Sequence, residues 1–295
     1  MDEEKKSNFE EFHDKNYKLL LLIPAILFVL SIAYIGVFYS NNGDFMHKDI
    51  SLTGGTTITI YEDIDVADMM LSLEGKLENL NTRTVYDIVS REEKAITIET
   101  TSDGETARNA VEEYLGHELT SENSSFEFTG STLSESFYKQ LVIAILVAFI
   151  FMAIVVFILF RTLVPSLAVI FAALADIIMT LAVVDLLGMK LSSAGIVAFL
   201  MLIGYSVDTD ILLTSRMLKR HKGSLNERLF GAFKTGTTMT ITSLLAITFA
   251  LLIISSFSFI LSQIFTILVI GLLFDLLNTW ITNVSILKWY VEAKK

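Results

Sequence analysis

The sequence predicts a polytopic α-helical membrane protein: six transmembrane helices, with a small α+β domain of ferredoxin-like βαββαβ order on the outer side between the first and second. Three observations predict it. Hydrophobic residues make up 53% of the 295, and they gather into six runs, each long enough to cross about 30 Å of hydrocarbon. Charge is unevenly placed: residues 40 to 137 hold 20 Asp and Glu against six Lys and Arg, or −14, so the total of −11 leaves +3 for the remainder. Within that acidic stretch the hydrophobic period switches between two and about 3.6, the mark of alternating strands and helices.

The first run is Leu19 to Tyr39, after a polar segment, residues 1–18, that the positive-inside rule below keeps in the cytoplasm. It is longer than a signal-peptide core and no small-x-small cleavage site follows, so it is expected to stay as the first span, 19–39. Residues 40–137 form the outer domain. "GGTTITIYE" alternates as a strand, "VADMMLSLEGKLENL" has helical spacing, and "TRTVYDIVS" and "KAITIET" read as two strands around a Glu-Glu turn. "GETARNAVEEYLGHEL" reads as a helix and "SSFEFTG" as the last strand. A four-stranded antiparallel sheet with both helices on one face buries these apolar faces most simply.

Five more spans fill residues 138–288, in runs of about 139 to 160, 164 to 187, 191 to 215, 236 to 258 and 264 to 287. Between the fourth and fifth, the loop 216–235 carries Arg216, Lys219, Arg220, Lys222, Arg228 and Lys234 against the single acid Glu227, which makes it cytoplasmic. Six spans then put both termini inside, including the tail 289–295, and Lys5, Lys6, Lys15, Lys18, Lys288, Lys294 and Lys295 agree. The acidic domain must therefore face outwards.

Composition excludes several chemistries. There is no cysteine, hence no disulfide, thiolate metal site or cysteine nucleophile. His13, His47, His117 and His221 all lie outside the apolar runs, which excludes a histidine-ligated metal or a histidine base within the membrane. No nucleotide-binding P-loop is present. No cofactor, metal, catalytic residue or nucleic-acid partner is expected.

The informative residues are the polar ones at membrane depth. A carboxylate mid-helix costs roughly 2.5 to 3.5 kcal/mol on insertion scales and defaults to a functional reading. In "GYSVDTDILL" of the fourth span, Asp208 and Asp210 lie about 12 and 9 Å above Arg216. Asp176 of the third lies about 16 Å above Pro165, and Asp275 and Asn278 of the sixth about 20 and 15 Å above Lys288. Thr238, Thr242 and Ser243 of the fifth lie about 6 to 14 Å above Lys234. These groups converge on one layer, whereas Asp185 sits near the outer end of the third span, within reach of water or Lys190.

Two residues apart on a helix, Asp208 and Asp210 point about 200° apart, so they face different neighbours. The expectation is that Asp208 looks into its own bundle, towards the third and fifth spans, and Asp210 towards a partner. Gly204 beneath Asp208 would let the hydroxyl face of Thr238 and Thr242 approach closely. No Lys or Arg lies at that depth, so a carboxyl there is expected to hold a proton part of the time, as a proton-coupled machine requires. The bland reading of the same groups is hydrogen-bonding glue between helices.

Four stretches carry a family resemblance. "DISLTGGTTITI", with Asp49, Gly54, Gly55 and Thr56, resembles the D-F-x-G-G-T signature of the SecD/SecF family, accessory membrane subunits of the Sec protein-export system. "AALADIIMTLAVVDLLGMKL" resembles the family's H-D helix, with Asp176 on the aspartate and Ala175 where histidine is common. "IGYSVDTDILLTSRM", with Gly204, Tyr205, Ser206 and Arg216, resembles the I-G-Y-S…D-R segment, and "TTMTITSLLAI" places Thr242 and Ser243 on a T-S pair. With the six helices and the single outer domain, the resemblance covers about residues 20 to 290. The small outer domain is similar to that of the family's SecF members rather than to the larger SecD one.

The resemblance implies one six-helix half of a resistance-nodulation-division architecture in the cytoplasmic membrane, with a SecD partner, contact with the SecYE translocon, and an unfolded preprotein as cargo. It implies that intramembrane acids couple the proton gradient to movements of the outer domain. The chain departs from the bacterial pattern in having Thr209 at the usual acid and Thr238 at the usual arginine, as suits an archaeal-type branch. Three other readings compete: a passive SecD-docking subunit, a small-molecule or lipid exporter subunit of the superfamily, and an intramembrane aspartyl protease. The last needs G-x-G-D and P-A-L motifs, whereas the chain has Gly204-x-x-x-Asp208 and only Pro24 and Pro165.

Overall fold

The structure is a computed structural model and describes residues 16–62, 64–86, 92–219, 224–255 and 258–293. Of the features expected above, residues 1–15 with His13, Lys5, Lys6 and Lys15 lie outside the described residues. So do the end of the second predicted strand (87–90), Arg220, His221 and Lys222 of the basic loop, and Lys294 and Lys295.

Six helices are long and apolar enough to cross a membrane: Asn16–Asn42, Ser131–Phe160, Leu163–Leu186, Ser193–Leu218, Leu225–Ile254 and Phe259–Ala293. They are called the first to sixth spans below. The third and fourth are the most buried, the sixth lies beside them, and the first, second and fifth form the rim. Most helices outrun their apolar runs, because caps rather than hydrophobicity end them. Gly43 closes the first in the left-handed region (φ 73°), and Arg161 does the same for the second (φ 52°). Pro165 then sits in the first turn of the third, where no amide donor is needed.

The expected loop 216–235 is mostly helix. The fourth span continues to Lys219, and the fifth begins at Leu225, where Ser224 and Glu227 form a reciprocal capping box. The sixth is interrupted by a π-helical turn, Asn278–Asn283, before continuing as Val284–Ala293.

The α+β domain between the first and second spans has strands β1 (Gly55–Ile60), β2 (Asn81–Tyr86), β3 (Glu93–Thr100) and β4 (Ser124–Thr129) in the antiparallel order β2-β3-β1-β4. Helices Val66–Leu73 and Gly104–Leu115 connect β1 to β2 and β3 to β4. Asp65 and Asp103 cap their first turns by accepting from backbone amides. The first stops at Leu73, seven residues short of the periodic pattern, because Gly75 turns the chain at φ 81°. Ile58 faces Ile98 and Ile60 faces Ile96 across the ladder, and these four pack on Met69, Leu73, Ala107 and Val111. The alternate residues, including Arg83 and Glu99, lie on the polar face lining a cleft against the outer ends of the fourth and sixth spans.

The connector after the first span is stitched to the start of the fourth. Leu191 donates to the His47 carbonyl (2.7 Å), Asp49 donates to the Leu191 carbonyl (2.9 Å), and Ser193 donates to Ser51 Oγ (3.1 Å). Asp185 accepts from the His47 backbone amide at 3.0 Å and lies 2.7 Å from its Nδ1. The expected reach of Asp185 to Lys190 thus gives way to His47, which the docked connector brings closer.

Candidate intramembrane carboxylate site

The third, fourth and sixth spans each bring one aspartate to the centre of the bundle. Asp176, Asp210 and Asp275 are all 0% exposed. Asp176 accepts from Ser206 Oγ (2.5 Å) and Asn278 Nδ2 (2.7 Å), one donor on each oxygen. Asn278 is oriented by Thr282, whose hydroxyl donates to its Oδ1 at 3.2 Å. Asp210 accepts on Oδ1 from Thr279 Oγ1 (2.9 Å) and Asn283 Nδ2 (2.7 Å). Asp275 Oδ1 lies 3.2 Å from the same Thr279 hydroxyl.

Among the described residues, the groups that reach the three carboxylates are two hydroxyls and two amides, all neutral. Hydrogen bonds to charged groups offset roughly 1.5–3 kcal/mol each, against a desolvation penalty of several kcal/mol per ion. The balance is therefore incomplete. Among the described residues, Asp210 Oδ2, Asp275 Oδ2 and Asn283 Oδ1 are buried with no hydrogen-bond partner.

The π turn builds this arrangement. From this turn of the sixth span Asn278 reaches the third, and Thr279 and Asn283 reach the fourth. Such turns are rare within α-helices and occur frequently at functional sites.

The two fourth-span acids point apart as expected, but with their directions exchanged. Asp210 faces inwards to the sixth span, and Asp208 is exposed on the outside of the bundle. The reason is packing: the third and sixth spans flank the inner side of the fourth, and the fifth covers the side carrying Thr209. Thr209 is buried against Thr240 (3.4 Å) and beside Gly236.

The expected contact of Thr238 and Thr242 with a carboxylate is not made. Both are exposed and donate back to the Lys234 and Thr238 carbonyls of their own helix, each at 2.7 Å. Ser243, next along, is half-buried. Gly204 has open space around it and Tyr205 is 41% exposed, so no close helix approach occurs there within the chain. Ser206, in contrast, is a carboxylate ligand. Arg216 lies away from the acids and donates to the Gly231 carbonyl, tying the fourth span to the fifth.

The outer motif is structural. Asp49 caps the turn Ile50–Thr53. A Cβ at Gly54 would meet Ser131 Cα at 2.5 Å, and one at Gly55 would meet the Thr100 carbonyl oxygen at 2.2 Å, so only glycine fits at either. Thr56 donates to the Ser102 carbonyl (2.8 Å). The motif thus packs the start of β1 closely against the end of β3 and, through Gly54, against the start of the second span.

Sequence reasoning missed Thr279, Thr282 and Asn283. Their signal was present in "NTWITN", five polar or aromatic residues crowded into an apolar run, of which only Asn278 attracted notice.

Fold and site define a polytopic helical membrane protein with a buried acidic centre and one small α+β domain. The family model "Protein export membrane protein SecD/SecF, C-terminal" matches residues 110–293. The SecF protein-export membrane protein of Methanocaldococcus jannaschii is 41% identical over 95% of this chain and 99% of its own. That of Methanothermobacter thermautotrophicus is 40% identical, over 95% and 94%, and that of Pyrococcus furiosus 35%, over 94% and 92%. The chain belongs to the SecD/SecF family of protein-export membrane proteins, and within it to the SecF members.

Its fold is similar to the crystal structure of SecDF from Thermus thermophilus, described as translocon-associated, with a TM-score of 0.74 at 18% identity. The match covers 98% of this chain and 39% of that one, so the chain spans about two-fifths of SecDF. A second SecDF structure, in a super-membrane-facing form, matches at a TM-score of 0.60 over 92% of this chain.

Proposed function

We propose that this chain is the SecF subunit of a SecDF-type assembly that promotes translocation of unfolded preprotein across the cytoplasmic membrane, with the proton gradient acting through Asp176, Asp210 and Asp275. The six helices cross the membrane, both termini lie in the cytoplasm, and residues 40–137 form a ferredoxin-like domain outside. The observation that carries the proton-linked part is three fully buried aspartates held, among the described residues, by neutral donors alone. Such groups respond to protonation, because taking up one proton relieves like charge that nothing else there offsets.

A SecD-type subunit is the partner proposed for the face bearing Asp208, Gly204, Thr238 and Thr242. A carboxylate against lipid at that depth is costly, and a second bundle supplies the cover. Contact with the translocon follows from the same assembly. Exposure of Asp208 also favours a narrower reading, in which that residue serves only docking.

Export of a secreted reporter, measured with and without a collapsed gradient, separates these roles in cells whose own copy is replaced by variants. Asp176→Asn and Asp210→Asn are expected to abolish the gradient-dependent fraction of export, and Asp208→Asn to reduce co-purification with the partner. Gradient dependence unchanged in both Asp176→Asn and Asp210→Asn would overturn the proton-linked reading.

A further inference from the structure

Thr279 stands between two carboxylates with a single hydrogen to give. Its oxygen lies 2.9 Å from Asp210 Oδ1 and 3.2 Å from Asp275 Oδ1, both within hydrogen-bonding distance. A hydroxyl donates once and accepts through its lone pairs. When Thr279 donates to Asp210, its lone pairs face Asp275, and two oxygens at that separation without a hydrogen between them repel. A proton on Asp275 Oδ1 removes the conflict, since the acid then donates to Thr279.

The third acid does not share this need. Asp176 already has one donor on each oxygen. Asn283 adds an independent mark on the Asp210 side: its amide nitrogen is on Asp210 Oδ1, while its own Oδ1 is fully buried without a partner and open to a hydrogen.

We infer that Thr279 is a hydroxyl relay which holds one proton between Asp275 and Asp210 and passes it from one to the other. In the forward step the O–H bond of protonated Asp275 breaks and that proton bonds to Thr279 Oγ1. The hydroxyl's original proton simultaneously bonds to Asp210 Oδ1. Asp275 is left as the carboxylate, Asp210 becomes the acid, and the threonine is regenerated with its hydroxyl reversed. One proton is transferred and the hydroxyl is regenerated, so no further reactant is consumed.

The neighbouring charges are accounted for. On the fourth span Arg216 is engaged with the Gly231 carbonyl, on the sixth Lys288 lies over the Tyr17 ring, and on the third Asp185 is held by His47 at the outer end. Residues 19–33, 140–160 and 235–254 of the first, second and fifth spans contain no ionisable side chain.

The inference deepens the proton-linked reading above and depends on it only for the link to export. Infrared difference spectroscopy of the full chain in liposomes tests it directly, through the C=O stretch that only a protonated carboxyl shows. At neutral pH the wild type minus Asp275→Asn spectrum is expected to contain one such band. Thr279→Ser, which keeps the hydroxyl, should leave it in place, and the near-isosteric Thr279→Val should shift it to higher frequency as its hydrogen-bond partner is lost. No protonated band in the wild type, or a band at the same position in Thr279→Val, would overturn the relay. A normal band pattern combined with gradient-independent export would keep the relay and discard the export coupling.

Discussion

At the scale of single residues, the α+β domain holds one acid under tension. Glu99 on β3 is 6% exposed. Burial, and next the Asp49 carboxylate, push its pKa above the usual 4.5, partly opposed by Arg83 (2.7 Å), Asn81 (3.1 Å) and Lys190. A carboxyl raised in the folded state contributes stability that is fully present below about pH 4.5, its unfolded value, and is lost as pH rises through its folded value. Thermal unfolding of the full chain followed across pH should therefore show a decline above pH 4.5 that Glu99→Gln flattens. An identical slope in both proteins would show that Arg83 fully compensates the burial. Sequence reading had no access to Glu99, because alternation places it on the polar sheet face and only tertiary packing reveals that the membrane helices cover that face. That Asp176, Asp210 and Asp275 share one level of the bundle was readable, since helical rise converts residue number into height. Their partners were not, because that requires knowing which helices are neighbours.

At the scale of elements, six helices and a βαββαβ domain were legible because hydrophobic runs and period changes are local properties. Which side of the fourth span faces in was not, and the inward acid was assigned to the wrong residue of the pair for that reason. The π turn was equally hidden, since periodicity treats every helix as regular. Close approach between the fifth and sixth spans is a further non-local feature: a Cβ at Gly236 would meet Trp280 Cζ2 at 2.5 Å, Trp280 Cη2 at 3.0 Å and Thr209 Cγ2 at 3.1 Å. Gly236→Ala must push Trp280 out of the cluster it shares with Leu213, Met217, Leu229 and Val284. Overpacking of this kind costs about 1–3 kcal/mol. Trp280→Phe removes the two ring atoms in conflict, so the double variant should lose less stability than the two singles added together, a non-additivity expected of residues in contact. Additive losses in thermal unfolding would place the two helices further apart than described.

For the whole molecule, the decisive asymmetry is between the two sides of the fourth span. Ser206 and Asp210 are buried at 1% and 0% exposure, while Tyr205, one residue from Ser206, is 41% exposed and Asp208 lies on the same outer side. Lipid is a poor neighbour for the exposed Asp208, which shares its side of the fourth span with Gly204 and Tyr205, so this side is the proposed interface and the other is the core. The chain has no cysteine, which makes single-cysteine substitution a clean probe of the difference. In membranes containing the partner subunit, Tyr205→Cys is expected to form a disulfide with a cysteine placed on the facing helix of that subunit. Ser206→Cys should resist both cross-linking and a membrane-permeant maleimide. Asp208→Asn should lower the Tyr205→Cys yield without exposing Ser206→Cys, because the carboxylate belongs to the interface and Ser206 to the core. Equal reactivity at 205 and 206 would mean that the fourth span rotates between its inner and outer contacts.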